Sequence, residues 1–161
     1  MRSSLYLDPL QAAEELRAYI VEDKVETSFL RGLSDRLDAL LFSRRFFLLD
    51  EVAMIPETDD EPPRLDHTEL RSLIAKRFPM LGLYWTALYS TMDSERPGEI
   101  AVGDAIDDLT DIAAEIENVR WYFEQHGREE ALAALRWCYE SHLWMHLMPL
   151  RCHLEELEIF G

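Results

Sequence analysis

Basic residues are scarce in this sequence. Its 161 residues include 16 lysines and arginines but 32 aspartates and glutamates, which gives a formal net charge of −16. A chain with this balance repels phosphate groups unless its few cations gather in one patch, and the tight basic pairs are only Arg44-Arg45 and Lys76-Arg77. We therefore expect no direct binding to nucleic acid or to an anionic membrane surface.

Cysteines and long apolar runs are scarce as well. Cys138 and Cys152 fall on one predicted helix, about 20 Å apart and too far for a disulfide, so we expect a reducing compartment. Every apolar run is broken by charges before it reaches membrane-spanning length. The first residues, MRSSLYLDPLQAAEEL, lack the apolar core of a signal peptide. Together these features predict a soluble, cytoplasmic protein.

The sequence does contain the material for a packed core, with 48% hydrophobic and 11% aromatic residues. Its length fits one domain over residues 1–161. The spacing of apolar residues predicts an all-α fold, a single bundle of five or six helices that ends in a long, kinked C-terminal helix. A homodimer is compatible with this apolar content, although the sequence assigns no surface to it.

Capping signals place the helices along the chain. Asp8-Pro9 should begin a first helix that runs to about Glu22, and Asp66 should cap a third helix that ends near Arg77. Between them, a long second helix is expected over about 26–52. A short helix is expected over 81–91, with loops at 56–65 and 91–102. A further helix should begin near Gly103 or Asp104 and close at Gly127, and the last should run over about 129–158 with a kink at Pro149.

The segment GDAIDDLTDIAAEIENV, residues 103–119, carries the first candidate site. At about 100° per residue its acidic side chains form a stripe that is separate from the apolar stripe of Leu109, Ile112 and Ile116. The stripe consists of Asp104, Asp108, Asp111 and Glu115, with Asp107 beside Asp108 in the sequence. Acids opposite an apolar face are often merely solvated, but carboxylates one turn apart also bind hard cations. No basic residue lies between Glu99 and Glu117, so a cation, basic side chains or a partner should balance this stripe.

The last helix carries the second candidate site, a stripe of His142, His146 and His153. Two histidines one turn apart can share a metal ion, but a helical histidine is more often a polar residue with a hydrogen-bond partner. The surrounding leucines and tryptophans predict that this helix is buried on most sides, so its imidazoles need partners. A short connection at Gly127 would place the acidic helix alongside as an antiparallel neighbour. Direct Asp–His pairing and a shared metal both satisfy this pattern.

Three segments resemble an uncharacterised bacterial all-α domain family of unknown function. They are FPMLGLY at 78–84, DDLTDI at 107–112, and the HxxxH pair in a Trp-rich final helix. The family pattern has an HWGxH-like motif, whereas His142-Leu143-Trp144-Met145-His146 shifts the tryptophan and lacks the glycine. The resemblance implies a helical bundle and draws attention to Asp107, Asp108, Asp111, His142 and His146. It implies no activity.

The acidic helix is also similar, more loosely, to the EExxD-type helix of all-α nucleoside triphosphate pyrophosphohydrolases. Asp104, Asp107, Asp108 and Asp111 mimic that spacing with shorter side chains. Those enzymes need a second acidic pair, for which the first helix offers Glu14, Glu15 and Glu22. This resemblance implies a metal-dependent phosphohydrolase with Asp108, Asp111 and Glu115 as ligands.

Two hypotheses follow. The leading one is a binding or accessory module for a protein partner or small ligand, with an Asp/His polar cluster of Asp104, Asp107, Asp108, Asp111, Glu115, His142 and His146. The alternative is the metal-dependent phosphohydrolase. No cofactor is certain, and a divalent metal, Mg²⁺, Mn²⁺ or Zn²⁺, would bind Asp108, Asp111, His142 and His146. The sequence does not decide whether the protein is an enzyme.

Overall fold

The structure is a computed structural model that describes residues 8–22, 29–49, 52–88 and 99–161. In these residues the chain forms a helical bundle with one small antiparallel sheet, which confirms the predicted fold class. The elements in chain order are α1 (Pro9–Val21), α2 (Phe29–Ser43), α3 (Arg45–Leu49), α4 (His67–Arg77), β1 (Leu83–Leu88), β2 (Glu99–Asp104), α5 (Ala105–His126), α6 (Arg128–Cys138), a π-helical turn (Tyr139–Leu143) and α7 (Trp144–Phe160).

Local capping fixes three helix starts where the sequence predicts them. The carboxylates of Asp8, Asp66 and Asp104 accept hydrogen bonds from backbone N–H groups in the first turns of α1, α4 and α5. These groups have no partner within the helix, so a side-chain acceptor one residue before it satisfies them. At the other end of α5, Gly127 has a φ of +91°, in the region that favours glycine. This glycine separates α5 from α6.

Two predicted elements are wrong. The long second helix over 26–52 is interrupted at Arg44, between α2 and α3. The short helix expected over 81–91 is instead strand β1, which pairs with β2, so the expected loop at 91–102 gives way to a strand from Glu99 onward. Period-two alternation is hidden here because both faces of β1 carry large apolar side chains. Of that loop, residues 91–98 lie outside the described part of the chain, whereas 56–65 contains no helix or strand, as expected.

The last helix extends as one run over 128–160, and its α-helical pattern changes to a π-helical turn at Tyr139–Leu143. Pro149 lies inside α7, and the helix continues past it to Phe160. The prediction that this helix is buried on most sides holds only for its first turns, where the consecutive residues 131–135 are all buried. It is wrong further along, because Trp137, Trp144 and Met148 are exposed.

Helix α5 lies at the centre and packs against α1, α4, α6 and α7. Its apolar stripe of Leu109, Ile112 and Ile116 is buried, as the periodicity predicts. The same periodicity places Phe123 on this stripe, but it lies near the end of the helix and is half exposed. Within the described residues, no helix is long and apolar enough to cross a membrane. The central position of α5 leaves its acidic stripe between α4 and the C-terminal helix.

Candidate functional site

The acidic stripe of α5 faces the histidines of the C-terminal helix. The turn at Gly127 folds the two helices back on each other, so residues far apart in sequence meet side by side. Asp108 contacts His146 and Glu115 contacts His142. Strand β1 contributes Tyr84 to the same place. We call Tyr84, Asp108, Asp111, Glu115, His142 and His146 the His–carboxylate cluster.

Asp108 is the buried anchor of the cluster. Its Oδ1 lies 2.8 Å from Nδ1 of His146, and its Oδ2 accepts a hydrogen bond from the Tyr84 hydroxyl. Burial and the contact with Asp108 both raise the pKa of Tyr84, so the phenol keeps its proton and donates it. The Tyr84 ring stacks on His153 with centroids 4.7 Å apart, and His153 donates to the carbonyl of Leu81 at 2.7 Å. His153 thus supports the cluster from behind.

His142 lies on the π-helical turn, and its Nδ1 contacts Oε1 of Glu115. Single π-helical turns recur at functional sites because they change the direction of side chains within an otherwise regular helix. The Nε2 atoms of His142 and His146 lie 3.0 Å apart. The structure therefore contains one continuous chain of polar contacts from Tyr84 through Asp108, His146 and His142 to Glu115.

The second oxygen of Glu115, Oε2, is buried and has no hydrogen-bond partner among the described residues. Burial raises the pKa of Glu115, against the opposing effect of its hydrogen bond to His142. Burial alone would lower the pKa of His146, but the hydrogen bond and charge of Asp108, together with Asp111 and Glu115, raise it overall. Burial thus favours the neutral form of Glu115, whereas the carboxylates around His146 favour its protonated form.

Asp111 lies at the edge of the cluster, where it is partly open to solvent. Its Oδ2 is 3.6 Å from Nε2 of His146, and its Oδ1 is 3.8 Å from Nδ1 of His67 on α4. The His67 side chain is largely exposed, and that of His142 is 45% exposed. The His142 ring and the Asp111 carboxylate are therefore partly in contact with solvent at this edge of the cluster.

Two predicted site residues lie outside the cluster. The Asp104 carboxylate caps α5 and also accepts a hydrogen bond from Arg71 at 2.6 Å. Asp107 is exposed and lies 3.5 Å from the same arginine. The balancing charge expected for the acidic stripe thus comes partly from Arg71 of α4 and partly from the histidines of the last helix. Since Asp104 is occupied by its cap and its ion pair, its role is structural.

Sequence reasoning missed Tyr84, His67 and Arg71 as neighbours of the stripe. His67 and Arg71 are one turn apart on α4, and that spacing is the only local signal that both face the same neighbour. Tyr84 gave no separate signal, because its strand was expected to be a helix. These three residues come from elements whose position depends on tertiary packing.

The five remaining candidates, Asp108, Asp111, Glu115, His142 and His146, all meet in the cluster. In the described part of the chain, however, no three His, Cys, Asp or Glu side chains stand in an arrangement that could hold a metal ion. The two Nε2 atoms lie 3.0 Å apart, and Oδ2 of Asp111 lies 3.6 Å from Nε2 of His146. Metal binding by these residues stays a prediction.

Fold and site together define a helical-bundle protein with a His–carboxylate cluster between its central and C-terminal helices. Among solved structures, the chain is similar to protein BF1032 from Bacteroides fragilis, with a TM-score of 0.70 and 14% sequence identity. The match covers 95% of this chain and 91% of that chain. No protein-family model and no curated protein matches the sequence. At this identity the likeness shows a shared fold alone, and the resemblance to a domain family of unknown function stays a prediction.

Proposed function

We propose that this protein is a metal-binding module that takes a divalent transition-metal ion at His142 and His146. The observation that carries the proposal is the 3.0 Å contact between the two Nε2 atoms. Both Nδ1 atoms face carboxylate oxygens, so each ring places its proton on Nδ1. In the neutral rings, the two Nε2 lone pairs then face each other. Such a pair is stable only when a cation, a proton or a metal ion, lies between or beside the nitrogens.

The spacing of the nitrogens fits a metal. Two nitrogen ligands at about 2.1 Å from one ion are about 3.0 Å apart when their bonds form a right angle, and about 3.4 Å apart at the tetrahedral angle of most Zn²⁺ sites, so Zn²⁺ would need the two rings to separate slightly. Carboxylates that accept from the opposite ring nitrogen orient and strengthen histidine ligands in metal sites, and Glu115 and Asp108 have this position. A modest rotation of Asp111 would add a carboxylate ligand, and solvent would complete the shell. Two imidazoles favour Zn²⁺ or another transition metal over Mg²⁺.

The carboxylates of the cluster also favour a divalent metal ion. Asp108, Asp111 and Glu115 surround two imidazoles, and Oε2 of Glu115 is buried without a partner. A divalent ion would offset this negative charge more completely than one shared proton. The alternative, a phosphohydrolase with a second acidic pair on α1, gains no comparable support, since Glu14 and Glu22 are paired with Arg17.

The test is titration of tag-free protein with Zn²⁺, Mn²⁺ and Mg²⁺ in a calorimeter. We expect one equivalent of Zn²⁺ to bind with a Kd below about 10 µM and Mg²⁺ to bind far more weakly. His142→Asn should abolish this binding, because it removes a ligand at a half-exposed position that tolerates substitution. His126→Asn, at the far end of α5, is the matched control and should bind Zn²⁺ like the wild type. A wild-type protein that binds none of the three ions at about 100 µM overturns the proposal and leaves the proton-bridged pair.

A further inference from the structure

The two-stranded sheet carries an apolar face that points away from the cluster. In the strand register Trp85 lies opposite Val102, and Ala87 lies opposite Ile100. Because side chains alternate along a strand, these four residues and Leu83 share one face. Leu83 is 66% exposed, Trp85 76%, Ile100 75% and Val102 56%. We call these five residues the outer sheet face.

The inner face of the sheet packs against the helices and fixes the position of the sheet. Tyr84 is buried there, between the Asp108 carboxylate and the His153 ring. The sheet is therefore anchored on its inner side, and the outer sheet face is presented on a fixed support. A two-stranded sheet is only marginally stable alone, and packing of its inner face on the helices supplies the support that this sheet needs. The outer sheet face takes no part in that packing, so another molecule can cover it.

The exposed area fits a protein interface. The five side chains expose on the order of 600 Å², at the upper end of the largest apolar patch found on typical monomers. A standard protein–protein interface buries about 800 Å² on each partner, so this face with a modest rim is large enough. Single exposed apolar residues need no explanation, whereas a continuous apolar patch at the upper end of this range is often functional.

Charge indicates the kind of partner. The whole chain carries a net charge of −16, yet the five residues of the outer sheet face are all apolar. The carboxylate at its edge belongs to Asp104, opposite Leu83, and it caps α5 and pairs with Arg71. A basic partner would therefore find no free carboxylate within the face, whereas an identical face is apolar in the same way. Two copies can meet through such a self-complementary patch across a two-fold axis. We propose that this protein forms a homodimer through the outer sheet face, independently of metal binding.

Sedimentation velocity of the wild-type chain tests the proposal directly. We expect a dimer at about 10 µM protein and a shift to monomer on dilution. Trp85→Glu places a charge at the centre of the face and should raise the dimer Kd at least about 100-fold. Phe160→Glu, at an equally exposed apolar residue near the C-terminus, is the matched control and should remain dimeric. A wild-type chain that is monomeric up to about 100 µM, or a folded Trp85→Glu variant that stays dimeric, overturns the proposal.

Two further measurements avoid reliance on a disruptive variant. Because both copies are acidic, raising the salt from about 50 mM to about 500 mM should screen their repulsion and tighten the dimer. Weaker association at high salt would mean an ionic interface and overturn the proposal.

A spin label on Ala87→Cys in a Cys152→Ser background should report one label-to-label distance, below about 30 Å if the two faces meet. A distance beyond this reach would place the interface elsewhere.

Discussion

The Nε2 atoms of His142 and His146 lie 3.0 Å apart, while the opposite nitrogen of each ring contacts a carboxylate. The acidic stripe of α5 therefore does not simply face water. It forms the wall of a cluster in which each imidazole has its proton position set by an acidic neighbour. One imidazole–carboxylate pair would be enough to satisfy a buried histidine between two packed helices. The doubled arrangement brings the two Nε2 atoms together, and a proton or a metal ion shared between them would explain this contact.

Glu115→Gln tests whether Glu115 acts through His142. The amide oxygen can still accept from Nδ1 of His142, but the charge that makes the ring a stronger ligand is lost. We expect Zn²⁺ affinity to fall about 10–100-fold. Because burial disfavours the charged form of Glu115, the metal-free variant should be at least as stable as the wild type. Calorimetry and thermal unfolding measure the two effects separately.

The matched control for this variant is Glu124→Gln, an exposed position on the same helix. It should change neither Zn²⁺ affinity nor the midpoint of unfolding. Unchanged affinity in Glu115→Gln would show that this carboxylate does not influence the site. A loss of stability without a loss of affinity would assign it a purely structural role.

His146→Ala tests how much the polar chain contributes to the fold. The substitution leaves Oδ1 of the buried Asp108 without its partner, so an acceptor loses its hydrogen bond in a place that water reaches poorly. We expect the metal-free protein to lose about 1–3 kcal/mol of unfolding free energy. Chemical denaturation in the presence of a chelator measures this change. An unaltered stability would mean that water replaces the imidazole without cost.

Asp104 offers a contrast, because its carboxylate is a helix cap. Asp104→Ala should lower the free energy of unfolding by about 0.5–2 kcal/mol, since two N–H groups of α5 lose their acceptor. Asp104→Asn keeps an acceptor at that position and should remain close to the wild type. Neither variant should alter Zn²⁺ affinity, which a titration of both proteins checks. A large affinity loss in Asp104→Asn would bring this carboxylate into the site after all.

The parts of this fold that were predictable depend on neighbours in sequence. Caps such as Asp8 and Asp66 act on N–H groups two or three residues away, and helical periodicity places Leu109 and Ile112 in the core. The sequence leaves two arrangements open for the acidic stripe of α5: it faces water, or it faces the histidines of the C-terminal helix. Periodicity places a stripe on a helix face, but it does not orient that face toward a neighbour.

The unpredicted parts depend on tertiary contacts. Strand β1 carries Trp85 on an exposed face and Tyr84 on a buried one, so alternation of apolar and polar residues is absent although the backbone is extended. The π-helical turn that carries His142 has no local residue signature, and the arrival of His67 beside Asp111 requires α4 to pack on α5. In each case, a distant element decides the local geometry.

The two cysteines should differ sharply in reactivity. Burial, reinforced by the negative charge of Glu115, raises the pKa of Cys138 to about 12, whereas Cys152 is exposed. A thiol-specific chromogenic reagent at about pH 8 should therefore modify one cysteine in the folded protein and both in denaturant. Cys152→Ser should remove the reaction of the folded protein. Rapid modification of Cys138 in that variant would contradict its burial.

The raised pKa of Cys138 also makes the stability of the fold depend on pH. A raised folded-state pKa means that the fold favours the neutral thiol. The contribution of Cys138 is therefore fully present below its ordinary pKa of 9.0 and is lost as the pH rises toward about 12. Cys138→Ala should flatten this part of the stability profile relative to the wild type. Denaturation midpoints across this pH range, compared between the two proteins, provide the check.

The fold should require glycine at position 103, because the Tyr84 ring lies directly over its Cα. A Cβ at position 103 would lie 2.5–2.8 Å from three ring atoms of Tyr84, which is closer than real Cβ contacts allow. The ring is held by Asp108 and His153, so it yields only at a cost, and Gly103→Ala should destabilise the fold by about 1–3 kcal/mol. A double-mutant cycle with Tyr84→Ala isolates this contact. With the ring removed, Gly103→Ala should cost much less, and strictly additive losses would show that another contact imposes the glycine.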